Sequence, residues 1–200
     1  KIEKRADEEQ VWREALKVTT AAGVSHMSVT LSNRGLTNDQ AARFCTYLLD
    51  HIDDLRKHGG TKRAVLAKLD MSDNKLDDDG MERMLATLGE ELCNSIAVLK
   101  LHENDLSAHG PFVRLLASGN LSQLHLSHNK FERFVVEEIV ATALLATEGD
   151  GWKYPRSGVP LWLRAENQRC GKKRTHEWEV LSCDLARRVA KEGRPLSTNV

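Results

Sequence analysis

The segment that decides the fold reads Leu66-Ala-Lys-Leu69-Asp-Met71-Ser-Asp-Asn74-Lys-Leu76. The same pattern returns as Ile96-Ala-Val-Leu99-Lys-Leu101-His-Glu-Asn104-Asp-Leu106 and as Leu121-Ser-Gln-Leu124-His-Leu126-Ser-His-Asn129-Lys-Phe131. All three fit L-x-x-L-x-L-x-x-N-x-L when Ile, Met and Phe are allowed for Leu. Apolar residues two apart face the same side of a strand, so each segment predicts a short strand that turns at its Asn.

Two weaker copies of the pattern flank these three. On the N-terminal side the template positions are His26, Val29, Leu31, Arg34 and Leu36. On the C-terminal side they are Pro160, Leu163, Ala165, Gln168 and Cys170. Arg34 and Gln168 replace the Asn, and Ala165 and Cys170 are small for core positions. Outer copies of a repeat are often degenerate because they serve as caps, and chance matches are the alternative for both.

Between the strands the apolar spacing becomes that of an amphipathic helix. The predicted helix faces are Phe44, Cys45, Leu48, Leu49, Ile52 and Leu55; Met81, Met84, Leu85 and Leu88; Phe112, Leu115 and Leu116; and Phe134, Val135, Ile139 and Leu144. Thr37, Asp77 and Ser107 stand where N-caps are expected. The Asn-equivalent positions 34, 74, 104, 129 and 168 are 40, 30, 25 and 39 residues apart, so the outer steps predict inserted loops.

This arrangement resembles the leucine-rich-repeat family. Gly80 and Gly110, four residues after the last template Leu and before an apolar helix, are similar to the ribonuclease-inhibitor-like subclass. The resemblance covers residues 24–170 and implies an α/β fold: a right-handed solenoid, a short horseshoe of about five repeats with parallel strands inside and helices outside. In this family the Asn side chain bonds backbone groups of neighbouring turns, so its role is structural.

The resemblance also divides the chain into three parts. Residues 1–23 are expected to form a lead-in helix that covers the first repeat with Val11, Trp12, Ala15 and Leu16. Residues 24–170 form the repeat domain. Residues 171–200 are expected to carry a capping helix around Trp178 to Ala190, followed by a loose tail.

Composition narrows the function classes. Among 200 residues, 29 Lys and Arg balance 29 Asp and Glu, so the formal net charge gives no global field for nucleic acid. No apolar run is long enough to span a membrane, and no signal-peptide core is present, although a chain that begins with Lys1 leaves a removed leader open. Four unpaired-looking cysteines predict free thiols in a reducing compartment. An intracellular location, cytoplasmic or nuclear, is expected, with an organelle left open.

A candidate binding site lies on the strand positions that face away from the core. Lys100, His102, His125, Trp162 and Arg164 are expected to be neighbours there, and we call them the sheet patch. Lys68 is expected to extend it. An exposed Trp beside an Arg is typical of a protein-interface hot spot and also of a platform that stacks an unpaired RNA base. Burial of the Trp under the C-terminal tail or the loop before it is the alternative.

Other charged stretches indicate less. The run 56–63 carries four cations and the loop 148–158 two aromatics, both on one predicted rim, whereas Lys172-Lys173-Arg174 is expected on the other rim. The basic runs therefore do not merge, which argues against extended phosphate tracking. The acidic run 77–79 suits a helix N-terminus. No phosphate-loop, hydrolase or metal motif occurs, and His102, His125 and His128 fit surface histidines better than a metal site.

The sequence therefore predicts a non-catalytic protein–protein interaction module, a scaffold or an accessory subunit of a larger assembly. We expect a protein partner, no cofactor or metal, no membrane insertion and no small-molecule substrate. An RNA-associated module that binds through the sheet patch is the alternative.

Overall fold

A computed structural model describes residues 2–148, 151–153, 161–166 and 168. In this part of the chain the helices are α1 (Ile2–Ala15), α2 (Asn38–His58), α3 (Asp78–Ser95), α4 (Gly110–Ser118) and α5 (Arg133–Leu145). The strands are β1 (Leu16–Ala21), β2 (Val24–Thr30), β3 (Arg63–Asp70), β4 (Val98–Lys100), β5 (Gln123–His125), β6 (Thr147–Glu148), β7 (Gly151–Trp152) and β8 (Trp162–Arg164). Strands and helices alternate, which makes the fold α/β.

Six of the strands form one sheet in the order β1-β2-β3-β4-β5-β8. The pair β1–β2 is antiparallel, and the other four pairs are parallel. Strands β6 and β7 form a separate antiparallel pair. Each parallel step between β2 and β5 passes through one helix. These helices and α5, which follows β5, pack in sequence order, α2 on α3, α3 on α4 and α4 on α5.

The repeated segments lie side by side, in the register that their alignment predicts. Leu69 on β3 pairs with Leu99 on β4, which pairs with Leu124 on β5 and then Leu163 on β8. The first three leucines are buried, and they join the apolar faces of the helices in one continuous cluster. The core therefore lies between the sheet and the row of helices.

The template Asn residues tie each turn to the turn before it, as predicted. Asn104 is 0% exposed; its Oδ1 accepts from the Leu76 N–H at 3.0 Å, and its Nδ2 donates to the Met71 carbonyl at 2.9 Å. Asn129 makes the equivalent bonds to the Leu106 N–H and the Leu101 carbonyl. These contacts satisfy backbone groups that burial would otherwise leave without partners.

The C-terminal weak copy contributes to the same arrangement although it lacks the Asn. Gln168 is 4% exposed, accepts from the Phe131 N–H at 3.3 Å, and donates to the carbonyls of Leu126 and Ala165 at 2.9 Å each. One extra methylene thus does not prevent an amide side chain from reaching both groups. Pro160 and Cys170 lie outside the described residues.

The N-terminal weak copy differs from its predicted alignment. His26 is exposed, and Met27 takes the first core position, because Met27 pairs with Leu66 and an irregularity shifts the register before Ser28. Arg34, at the Asn position, is exposed; only its backbone N–H takes part, donating to Asn74 Oδ1 at 3.2 Å. The predicted alignment was therefore wrong by one residue at His26.

The N-terminal segment is shorter as a helix than predicted. Helix α1 ends at Ala15, and residues 16–21 form an edge strand that turns into β2 through Ala22 and Gly23, whose φ angles are 51° and 78°. Positive φ at two consecutive residues is the geometry of a tight type I′ hairpin turn. Trp12 does cover the first unit: it is buried, with its ring centroid 5.9 Å from that of Phe44 on α2.

Two of the three predicted helix caps are correct. The Thr37 side chain forms a capping box with Gln40, and Asp77 accepts from the Gly80 N–H at 3.1 Å. Ser107 is not a cap, because α4 begins three residues later, at Gly110, with His109 at the N-cap position. The Ser107 backbone N–H instead donates to Asp78 Oδ1 at 2.9 Å.

Three further details of the helix layer were not expected. Gly89, with φ of 73°, kinks α3. Phe134, predicted on the core face of α5, is 56% exposed, and Val136 is buried instead. The extra length of the first step belongs largely to the 21-residue helix α2, and Arg56, Lys57 and His58 form its last turn and not a loop.

Several predictions fall outside the described residues: the capping helix around residues 178–190, the tail, the basic run 172–174 and most of the loop 148–158. Within the described ranges, no helix has both the length and the apolar character needed to cross a membrane.

Candidate binding face of the sheet

The face of the sheet opposite the helices positions the predicted site residues by register alone. One row across the strands reads Lys68, Val98, Gln123 and Trp162. The next row reads Asp70, Lys100, His125 and Arg164. Neighbouring strands lie about 4.8 Å apart, so side chains in one row are within contact distance of each other. The register therefore places the predicted neighbours Lys100, His125, Trp162 and Arg164 on three adjacent strands.

An aromatic line crosses the sheet patch. The ring centroids of His102 and His125 are 6.3 Å apart, and those of His125 and Trp162 are 5.7 Å apart at an interplanar angle of 66°. Trp162 is held edge-to-face on His125, but 57% of its surface remains exposed. The sheet thus carries a large exposed aromatic, whereas the C-terminal tail and most of the preceding loop, which would cover Trp162 in the alternative prediction, lie outside the described residues.

The cations of this face are arranged around two carboxylates. Asp70, only 6% exposed, has its Oδ2 3.5 Å from Lys68 Nζ and 3.9 Å from Lys100 Nζ. At the other end Arg164 forms an ion pair with Glu166 through Nε and Nη2. The cations were predicted from the sequence, whereas these acidic partners were not. The available signal was spacing, because Asp70 and Glu166 lie two residues after Lys68 and Arg164.

Lys68 lies at the margin of this arrangement. Its ammonium also donates to Thr30 Oγ1 on β2 at 3.3 Å, which directs it toward the antiparallel end of the sheet. The Asp70 carboxylate that it faces is fixed by the Ser72 hydroxyl at 2.7 Å. Lys68 therefore belongs to a local network around Asp70, whereas the other five predicted residues form the contiguous patch.

His125 sits at the centre of the sheet patch in an unfavourable place for a positive charge. Burial lowers the pKa of His125 below its ordinary value of 6.5, and the charges of Lys100 and Arg164 lower it further, with Glu166 acting in the opposite direction. Its Nε2 is buried and has no hydrogen-bond partner among the described residues. These surroundings favour the neutral form of the His125 ring over the charged form.

Other parts of the described chain are less suited to binding. An open groove between α2 and α3 is lined by Arg43, Thr46 and Arg83, but Arg83 is paired with Asp39 at 2.9 Å and no predicted site residue lies there. No group of three or more His, Cys, Asp or Glu side chains among the described residues is placed to hold a metal ion. Cys45 and Cys93 are buried thiols.

A scan against protein-family models gives no match for this chain, and a search of curated proteins gives none either. The conclusions about function therefore depend on the geometry described above.

Proposed function

We propose that residues 24–170 form a leucine-rich-repeat solenoid of the ribonuclease-inhibitor-like kind, and that it is a non-catalytic module binding a protein partner on its sheet patch. The fold part is supported by the in-register strands β2 to β5, which share one core and are each followed by a helix. It is supported further by amide side chains of Asn74, Asn104, Asn129 and Gln168 that bridge successive turns. Function is argued from the site and not from this fold.

The observation that carries the functional proposal is the exposed Trp162 beside His125 and Arg164. Exposing an indole to water is unfavourable, since burying a large aromatic side chain contributes on the order of 2–3 kcal/mol. Trp and Arg are also the residue types most enriched among interface hot spots. A partner that covers Trp162 would recover this energy, and the rigid sheet would hold the contacting side chains in place.

The charges favour a protein over RNA. Lys68, Lys100 and Arg164 contribute three positive charges, and Asp70 and Glu166 contribute two negative ones within the same surface. Such a balance provides little net attraction for a phosphate backbone, which depends on several unopposed cations. A mixed surface around a central aromatic is instead typical of protein interfaces.

The test compares two variants with the wild type in pull-downs on the full chain. Trp162→Ala combined with Arg164→Ala removes the candidate hot spot. Phe134→Ala is the matched control, because it deletes an equally exposed aromatic, 56% against 57%, from helix α5. We expect one nuclease-resistant protein to bind wild type and control and to be lost from the double variant.

The opposing outcomes are distinct. Equal recovery of the protein by the double variant would reject the sheet patch as the interface. Loss of binding after nuclease treatment, with an affinity that falls steeply as salt rises from 50 to 200 mM, would replace the protein proposal with RNA.

A further inference from the structure

The row Lys100–His125–Arg164 places three nitrogen-bearing side chains on adjacent parallel strands. At about 4.8 Å per strand, the row spans about 10 Å, with the imidazole in the middle. A small anionic group above His125 would be one strand spacing, roughly 4.8 Å, from each of the two outer cations. This dimension suits a single carboxylate.

Neither acidic group of this face lies next to His125 within that row. Asp70 lies beyond Lys100 in the same row, whereas Glu166 lies in the next row, two residues after Arg164, where it pairs with Arg164 and acts on the pKa of His125 against the two cations. The groups that face His125 are Lys100 and His102 from β4 and its turn, Trp162, Arg164 and Glu166 from β8 and its turn, and Gln123 and Ser127 along its own chain. Both nearest charges in its row are positive.

His125 also has a binding capacity that the described chain does not use. Its Nε2 makes no hydrogen bond and is covered by the surrounding residues, with the Trp162 ring packed edge-to-face against the imidazole. A buried polar nitrogen without a partner destabilises the unbound protein. Since Trp162 is itself more than half exposed, a ligand can contact Trp162 and thereby lie next to the His125 ring.

We propose, on the basis of the protein-binding function above, that the partner presents a carboxylate to Lys100 and Arg164 over His125, and that His125 takes up a proton from solvent as this carboxylate binds. The apolar part of the partner segment packs on Trp162. The occupant is a protein segment with an isolated Glu or Asp beside an apolar residue. A nucleic-acid strand fits less well, because its successive phosphates would run past Asp70 or Glu166.

Proton uptake is expected because binding adds a negative charge next to His125, whose nearest charged neighbours in its row are positive. In the unbound chain burial lowers the pKa of His125, and Lys100 and Arg164 add to this effect. A carboxylate at this point stabilises the imidazolium and raises the pKa. Since the bound state then has the higher proton affinity, binding strengthens as pH falls through the bound-state pKa and reaches its full strength below the unbound pKa.

The experiment uses the full chain and two synthetic peptides, acetyl-Ala-Leu-Glu-Leu-Ala-amide and the same peptide with Gln in place of Glu. Histidine pKa values are followed by NMR with and without peptide at concentrations up to about 10 mM. We expect the Glu peptide to raise the pKa of His125 and to bind about tenfold more tightly at pH 5.5 than at pH 7.5, since one pKa unit corresponds to tenfold. The Gln peptide should do neither.

Two substitutions assign the effect. His125→Gln should abolish the pH dependence of Glu-peptide binding, whereas His26→Gln, which removes an exposed imidazole from β2, should leave it intact. Equal binding of both peptides, binding of neither, or pH dependence that survives in His125→Gln would overturn the inference. Failure of the proposed function is separate: it is loss of the Trp162-dependent protein capture, whereas capture that is equal at pH 5.5 and 7.5 would sink only the carboxylate inference.

Discussion

Replacing Asn104 with Ala tests the element on which the stacked units depend. The Asn104 amide accepts from the Leu76 N–H and donates to the carbonyls of Met71, Leu101 and His102. The substitution removes the acceptor of Leu76 in a region where both Leu76 and Asn104 are 0% exposed. Water therefore has no direct route to replace it.

The size of the effect follows from which groups keep a second partner. The Met71 carbonyl still accepts from Asn74 at 3.0 Å, and the Leu101 carbonyl still accepts from Asn129 at 2.9 Å. Each carbonyl loses one of two bonds, at about 0.5–1 kcal/mol, but the buried Leu76 N–H loses its bond to the amide, at about 1–3 kcal/mol. Together these losses predict a destabilisation of about 3 kcal/mol.

The assay is urea unfolding followed by far-ultraviolet circular dichroism, with Asn74→Ala as the matched control. Asn74 makes the same bonds one unit earlier but is only half-buried, and its partner Arg34 is exposed. Water can replace part of its contacts, so about 1–2 kcal/mol is expected there. For an m-value of about 2 kcal/mol/M, Asn104→Ala should lower the urea midpoint by about 1.5 M. Equal losses for the two variants, or less than about 1 kcal/mol for Asn104→Ala, would refute this reasoning.

Three further predictions concern the helices. A Cβ at Gly80 would lie 2.1 Å from Asn38 Oδ1, so Gly80→Ala should lower the free energy of thermal unfolding by about 1–3 kcal/mol. Gly110→Ala should be neutral or slightly stabilising, because the nearest atom to its Cβ is an Arg guanidinium nitrogen 3.7 Å away. Equal effects of the two substitutions would contradict this prediction. Asp77→Ala removes the α3 cap and should cost about 1 kcal/mol at pH 7. Hydrogen bonds from the Gly80 N–H and from Asn38 hold the pKa of Asp77 below its usual value. The stabilisation by Asp77 is therefore present above the unfolded-state pKa of about 3.9 and is lost as pH falls through the folded-state pKa. The urea midpoints of wild type and Asp77→Ala should converge near pH 2, and a constant difference would argue against the cap. Burial raises the pKa of the Cys45 thiol to about 12, so iodoacetamide at pH 8 should modify it slowly in the native protein and rapidly in urea, as mass spectrometry of the corresponding peptide would show; fast native labelling would refute its burial.

The strands and their register were predictable because the repeated segments carry the information locally. Leu69, Leu99 and Leu124 occupy the same place in three tandem copies, and period-two alternation determines which neighbours face the solvent side. The composition of the sheet patch followed directly from that alternation. Its lateral neighbours required only the additional assumption that successive copies pair.

What was missed depends on contacts between segments that share no pattern. Strand β1 has β-branched residues at Val18, Thr19 and Thr20, a usable signal, but its alternation is too weak to separate it from the preceding helix without its partner β2. The one-residue shift at His26 arises from an irregularity in pairing with β3, which a gapless template cannot represent.

The electrostatics of the candidate site were also beyond the sequence. Which carboxylate faces which cation depends on side-chain direction, and Asp70 looked like one exposed strand residue among several. Its burial to 6% exposure, and the covered Nε2 of His125, result from the packing of neighbouring side chains across the strands. The burial of Asp70 and of His125 Nε2 determines the charge pattern of the surface, and neither could be predicted from the sequence.

The bridging amides also determine how units can be exchanged. The strand-end carbonyls of Met71, Leu101 and Leu126 each accept from two amides, one in their own unit and one in the following unit. Each unit therefore brings the donor that its predecessor requires and offers an acceptor to its successor. If one unit were duplicated or deleted between equivalent residues, each of these carbonyls would still accept hydrogen bonds from two amides. Such a change in the number of units would require no new type of hydrogen bond where two units meet.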